Sequence, residues 1–150
     1  MSQRHLYYFD NNATTRVAPE VIEAMLPYLE EKWGNPSSAY AFGHDLVREI
    51  DKAREQIADL IGAESREIVF TSCGTESNNT AIHSALLTNP AKRHVLTTAV
   101  EHSANIKYTK FLERQGYDVT RLPVEPDGSL DIHLLERSIR KDTAIVSVMW

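Results

Sequence analysis

The stretch Phe70-Thr71-Ser72-Cys73-Gly74-Thr75-Glu76-Ser77-Asn78-Asn79 reads as the end of a short apolar strand, a loop of small residues and the start of a helix. The first N–H groups of a helix have no internal acceptor and carry partial positive charge. Small residues let an anion approach them closely, which makes such a loop a candidate phosphate site. Gly74 would permit a tight turn, and the Thr75 hydroxyl could donate to a phosphate oxygen. The loop is not a Walker loop, since no Gly-Lys-Ser/Thr follows, and it lacks the Gly-x-Gly-x-x-Gly dinucleotide pattern. The competing reading is an ordinary helix start capped by Thr75.

Working outward, strands and helices alternate. Glu67 to Thr71 predicts a strand, and Glu76 to Leu87 a helix. His94 to Ala99 predicts the next strand, Ala104 to Gln115 a helix stopped by Gly116, and Asp118 to Leu122 a strand. Pro126-Asp127-Gly128 is a turn, Ile132 to Ile139 a short helix, and Ala144 to Trp150 a buried strand. Such alternation argues for an α/β fold around a largely parallel sheet. Before the loop, a helix is expected from Pro19, with Val21, Met25, Leu29 and Trp33 on one face and Pro27 kinking it or ending it early. Gly34-Asn35-Pro36-Ser37-Ser38 is a loop. A second helix is expected from His44 to Ile61, with Leu46, Ile50, Ala53, Ile57, Leu60 and Ile61 on one side and Gly62 as its C-terminal cap. Leu6 to Phe9 is a short extended stretch running into the polar cluster Asp10 to Thr15. That cluster fails the calcium-loop pattern and is expected to be a turn.

Composition narrows the function classes. The chain has 150 residues, enough for one domain with a real core, and a net charge of −5, which argues against sequence-independent nucleic-acid binding. No apolar run is long enough for a membrane helix, and Leu6 to Phe9 is too short for a signal-peptide core, so a cytoplasmic location is expected. Cys73 is the only cysteine, so neither an internal disulfide nor a cysteine metal cage can form; no metal site is expected. Its place at a helix start would lower its pKa, but no base stands beside it in sequence, and it is expected to pack in the loop.

His102, in Val100-Glu101-His102-Ser103, follows a strand at its C-terminal end, where open parallel sheets carry their sites. A histidine there could stack on a planar ligand or move protons. The alternative is a histidine hydrogen-bonded at a helix start. His5, His44, His83, His94 and His133 show no ligand spacing and read as surface or packing residues.

Taken in order, Phe9 to Thr15, Gly34 to Ser38, Ile68 to Asn79, Glu101-His102-Ser103 and Val146 to Trp150 resemble the cysteine desulfurases of the nitrogen-fixation and iron–sulfur assembly type (NifS/IscS), within the class V aminotransferases. The resemblance covers essentially the whole chain. It implies a three-layer α/β/α, aspartate-aminotransferase-like large domain of the pyridoxal-phosphate enzymes, incomplete here. Residues 1–15 would pack with the small domain and 16–150 would form the first part of the large domain. It implies a homodimer that takes sulfur from L-cysteine, releases L-alanine and leaves an enzyme persulfide for an iron–sulfur scaffold or another acceptor protein. Gly74 and Thr75 match the residues that bind the cofactor phosphate. His102 matches the histidine that stacks on the cofactor ring and assists proton transfer, and Asn12 to Thr15 match a stretch near the substrate entrance.

The family's cofactor-bonding lysine, its pyridinium aspartate, its carboxylate-binding arginine and its catalytic cysteine have no match in these residues, and Cys73 occupies the phosphate loop instead. The chain stops inside an apolar strand. It is therefore expected to be a piece of a longer protein and inactive alone. A selenocysteine lyase-like enzyme, or a non-catalytic dimerisation or scaffold module of the same fold, are the alternatives. A small phosphate-binding domain is a third.

Overall fold

The computed structural model describes residues 7–149. His5, Leu6 and Trp150 lie outside the described residues, and with them part of the expected N-terminal stretch. The last expected strand, Ala144 to Trp150, forms only as far as Val146, and Val146, Val148 and Met149 are exposed rather than buried, because among the described residues no neighbouring strand pairs with the chain beyond Val146. The described chain forms two compact units, divided between Val69 and Phe70.

The first unit is helical. Helix α1 spans Pro19–Glu30 and opens on Pro19, whose missing N–H is harmless in a first turn. It runs through Pro27 and ends one turn later, so Trp33 falls beyond it. Its expected apolar face is exposed at Val21, Met25 and Leu29. Helix α2 spans Ala41–Ile61, starting three residues earlier than the sequence suggests. Gly62 closes it with φ 68°, the left-handed geometry glycine adopts without penalty. Of its expected face only Leu46 is buried, together with Gly43 and Ala58; Leu60 and Ile61 are exposed. In the preceding loop, Asn35 accepts the N–H of Ser37 on its side chain at 2.9 Å and that of Ser38 on its carbonyl at 3.1 Å. Trp33 meets the Phe42 ring edge-on at 5.4 Å. A 3-10 turn at Ser65–Glu67 follows, closed by reciprocal bonds between Glu64 and Glu67. Arg54 donates to the Ile68 carbonyl.

The expected strand at Glu67 to Thr71 does not form. Its first residue ends the 3-10 turn, and Ile68 to Phe70 stay outside the sheet, with Val69 73% exposed. Apolar alternation makes a strand only where a neighbour completes the ladder.

The second unit holds a parallel sheet of β1 (His94–Thr98), β2 (Asp118–Leu122) and β3 (Thr143–Val146), in the order β2-β1-β3. Val95 pairs with Val119 and with Ile145, which puts their side chains on one face. Helices α3 (Gly74–Thr88) and α4 (Ser103–Arg114) pack against that face, where Ile82, Leu86, Val95 and Leu112 form the core. Leu96 is also fully buried, so β1 is closed on both faces, although only Val95 and Leu96 of its five residues are apolar; His94, Thr97 and Thr98 are buried with them. Helix α5 spans Ile132–Ser138 and is capped by Asp131. Gly116 (φ 82°) and Gly128 (φ 88°) turn the chain after α4 and within the Pro126-Asp127-Gly128 turn.

Candidate functional site

The α/β connections bring two predicted pieces to one unit: the start of α3, and the turn between β1 and α4. Both lie in the second unit.

Helix α3 starts at Gly74, with Cys73 as its N-cap residue in extended conformation and no side-chain cap hydrogen bond. Thr75 therefore does not cap the helix. The first intrahelical bond runs from the Ser77 N–H to the Cys73 carbonyl at 3.1 Å, so the N–H groups of Gly74, Thr75 and Glu76 precede the ladder. Gly74 is in ordinary helical conformation rather than at positive φ, which corrects the expectation of a tight turn. A Cβ built on it meets nothing within 4 Å, so the space beside the Gly74 Cα is open.

Cys73 is exposed rather than packed in the loop. Its thiol pKa lies below the ordinary value, chiefly through the Glu76 N–H, then the Ser72 hydroxyl and the Thr75 N–H. The start of α3 thus stabilises negative charge at this spot, as its unpaired donors require. The Glu76 carboxylate turns back to the loop and accepts both the Ser72 N–H and the Ser72 hydroxyl at 2.7 Å. Those two bonds hold its own pKa below the usual value. Thr71 and Ser77 share a hydroxyl bond of 2.6 Å across the same turn. N–H groups ahead of the helix ladder, with hydroxyls beside them and the Cys73 sulfur against two of them, make a donor set of the kind that fits a phosphate. Among the described residues no group of three or more His, Cys, Asp or Glu is placed to hold a metal ion.

His102 is exposed and is the N-cap residue of α4. Its Nδ1 accepts the Ala104 N–H at 3.2 Å, the bonding expected of a histidine at a helix start. With Nδ1 an acceptor, the proton of the neutral ring sits on Nε2. The bond sets the ring's tautomer and leaves that N–H for other contacts.

The residues around His102 were not singled out by sequence. Glu101 is buried, and its carboxylate takes three donors. Oε1 accepts the Thr98 hydroxyl at 2.9 Å and the Met149 N–H at 2.9 Å, while Oε2 accepts the Asn105 amide at 2.8 Å. The Asn105 amide also reaches Ser147 at 3.1 Å and Thr97 at 3.4 Å, while its Oδ1 is buried without a partner. The available signal was an acidic residue just beyond a strand rich in threonine, with an amide four residues on.

Asn12 to Thr15 are exposed and belong to the first unit. The expected turn forms over Asp10 to Ala13, closed by the Ala13 N–H on the Asp10 carbonyl at 3.1 Å, and Thr14 and Thr15 lie beyond it. His94 is fully buried between two threonines, a packing residue as expected.

The family described as aminotransferase class-V matches residues 7–150. Among curated proteins, a cysteine desulfurase of Trichormus azollae is 54% identical over 143 residues, covering 95% of this chain and 36% of its own length. The cysteine desulfurase NifS of Azotobacter vinelandii is 49% identical over 144 residues, with the same coverage. The solved structure of a NifS-like protein superposes with a TM-score of 0.88 at 41% identity, over 94% of this chain and 39% of that one. The structure described as SspA in complex with cysteine gives 0.87 at 37% identity, over 94% and 41%. The chain thus spans little more than a third of the length of the curated relatives it matches. Among the described residues no helix is long and apolar enough to cross a membrane.

Proposed function

Because the chain belongs to the class V aminotransferase family, we propose that the protein acts as a pyridoxal-phosphate-dependent cysteine desulfurase. In this reading it takes the sulfur of L-cysteine, releases L-alanine and passes the sulfur, as an enzyme persulfide, towards iron–sulfur cluster assembly. The observation that carries the reading is the identity of about half the residues to cysteine desulfurases across 95% of the chain. The start of α3 supports it independently of any likeness, since it is a helix start without a side-chain cap whose N–H groups lower the pKa of the neighbouring thiol.

Gly74 and Thr75 would hold the cofactor phosphate through their N–H groups, with the Thr75 hydroxyl as a further donor. When bound, pyridoxal phosphate supplies an electron sink for bonds broken at the substrate α-carbon. His102 would lie at the cofactor ring, with Nε2 as the atom that holds or passes on a proton; its Nδ1 is committed to the Ala104 N–H. Residues 1–15 are assigned to the small domain and 16–150 to the large domain of a cytoplasmic homodimer. The lysine and cysteine that complete the chemistry in the family would come from outside the matched motifs.

The test is an assay of the full-length protein, loaded with pyridoxal phosphate, for alanine and sulfane sulfur from L-cysteine. The expected result is alanine and transferable sulfur in equal amounts. Cofactor binding without alanine release from cysteine would overturn the reading. Alanine from selenocysteine alone would move it to the lyase.

A further inference from the structure

We infer that Glu101 is a positioning residue, the tether that holds the turn carrying His102 in register with the segment that follows β3. The inference deepens the proposed function and rests on it. Three observations carry it, all within the second unit.

The first is connectivity. One carboxylate joins Thr98 at the end of β1, Asn105 in the first turn of α4 and Met149 beyond β3. β1 and β3 are neighbouring parallel strands, so both tethered segments leave the sheet at the same end, where sites of such sheets lie. His102 is the next residue in the chain after Glu101, and the geometry of its N-cap bond depends on the path of that turn.

The second is chemistry. Thr98, Met149 and Asn105 all act as donors to Glu101, which matches an ionised carboxylate, an acceptor at both oxygens. Glu101 is only 8% exposed, and no ion pair within 4.0 Å involves it among the described residues. A buried charge held by hydrogen bonds alone keeps a fixed geometry, because any displacement leaves a donor or a lone pair unpaired.

The third is redundancy at Asn105. Its amide faces Glu101, Thr97 and Ser147, which again joins β1, α4 and the segment after β3. Its unpartnered Oδ1 has a further consequence. A glutamine at 101 could still accept the Met149 N–H on its oxygen. Its amide would face Asn105, whose own amide could turn to present that oxygen. Shape and tether then survive without the charge, whereas alanine removes both.

The experiment compares Glu101→Ala and Glu101→Gln in the full-length, cofactor-loaded protein. It measures kcat and KM for L-cysteine, Tm, and hydrogen exchange of the segments containing Ala104 and Met149. Misplacement of a functional group by about 1 Å lowers turnover by about a hundredfold. The expected result for Glu101→Ala is a kcat lower by about 10- to 100-fold, KM within about threefold, and faster exchange in both segments. Glu101→Gln should restore kcat to within about threefold and recover the exchange protection.

A Glu101→Ala protein that exchanges like the wild type and keeps its kcat would overturn the inference. So would one that loses only Tm, because Glu101 would then be merely structural. If the alanine variant does not fold, the glutamine variant still decides: kcat reduced tenfold or more with protection intact means that the charge, not the tether, matters. Absence of alanine release by the wild type would refute the proposed function, while the exchange data would still report on the tether.

Discussion

His94 links all three strands of the sheet, and replacing it by alanine tests how that sheet is held. The ring is fully buried. Its Nδ1 shares a bond of 2.8 Å with the Thr143 hydroxyl in β3, and its Nε2 one of 2.9 Å with the Thr120 hydroxyl in β2. Each bond contributes about 1 kcal/mol, and the unfilled ring volume adds roughly 1–2 kcal/mol, so His94→Ala should destabilise the protein by about 3–4 kcal/mol at neutral pH. The loss should shrink in acid. Burial, and then the Arg140 charge, hold the His94 pKa below its ordinary value, against partial opposition from Asp118 and Asp142. The unfolded chain therefore binds the proton more readily than the folded one. The wild type keeps the full contribution above about pH 6.5 and loses it as pH falls towards the lowered folded value, by up to about 1.4 kcal/mol per pH unit. The alanine variant lacks this term, so the gap between the two proteins should narrow by up to about 1.4 kcal/mol near pH 5.5. Urea unfolding of the cofactor-free proteins at several pH values measures it. A gap that stays constant with pH, or a loss under about 1 kcal/mol at neutral pH, would refute the buried, doubly bonded neutral ring.

Cys73 should be alkylated by iodoacetamide with a pH midpoint below the ordinary thiol range, and inorganic phosphate should slow the reaction by competing for the same N–H groups. A midpoint at the ordinary value, or no effect of phosphate, counts against an anion site at the start of α3. Thr75→Val should leave Tm unchanged, because the residue is exposed, while weakening pyridoxal-phosphate affinity about 10- to 100-fold, as expected for one lost bond to a charged group; equilibrium dialysis reads this directly. Gly43→Ala should destabilise the first unit by about 1–3 kcal/mol, because the new Cβ would stand 2.5 Å from the Asn35 carbonyl, a backbone atom that cannot swing away. Thermal unfolding of the variant checks it.

Periodicity made most elements readable. Asp118 to Leu122 and the start of β1 at His94 fall where alternation and flanking residues place them, and Gly62 stops α2 as its left-handed geometry allows. These features are local. Asp10 to Ala13 likewise turns on itself, as its polar composition implies. Misreadings cluster where a local pattern needs a distant partner. Ile68 to Phe70 have a strand's residues but stand outside the ladder. Leu60 and Ile61 have a helix's apolar spacing but are exposed.

The same division runs through the candidate site. The loop around Gly74 and Thr75 was legible, because helix starts, small residues and hydroxyls are adjacent in the chain and their electrostatics follow from that order. His102 was legible as a residue following a strand, though not its Nδ1 bond to Ala104. The cluster of Glu101, Thr97, Thr98, Asn105, Ser147 and the Met149 N–H was not legible: its two halves lie more than forty residues apart, and only the β1–β3 pairing joins them. By itself the sequence determined the helices, the turns, the parallel α/β class and the uncapped helix start at Gly74, since each depends on backbone geometry within a few residues. Tertiary structure alone decided which apolar runs became sheet, where His94 was buried and which carboxylate braces His102, since burial and hydrogen-bond partners are properties of strands brought together.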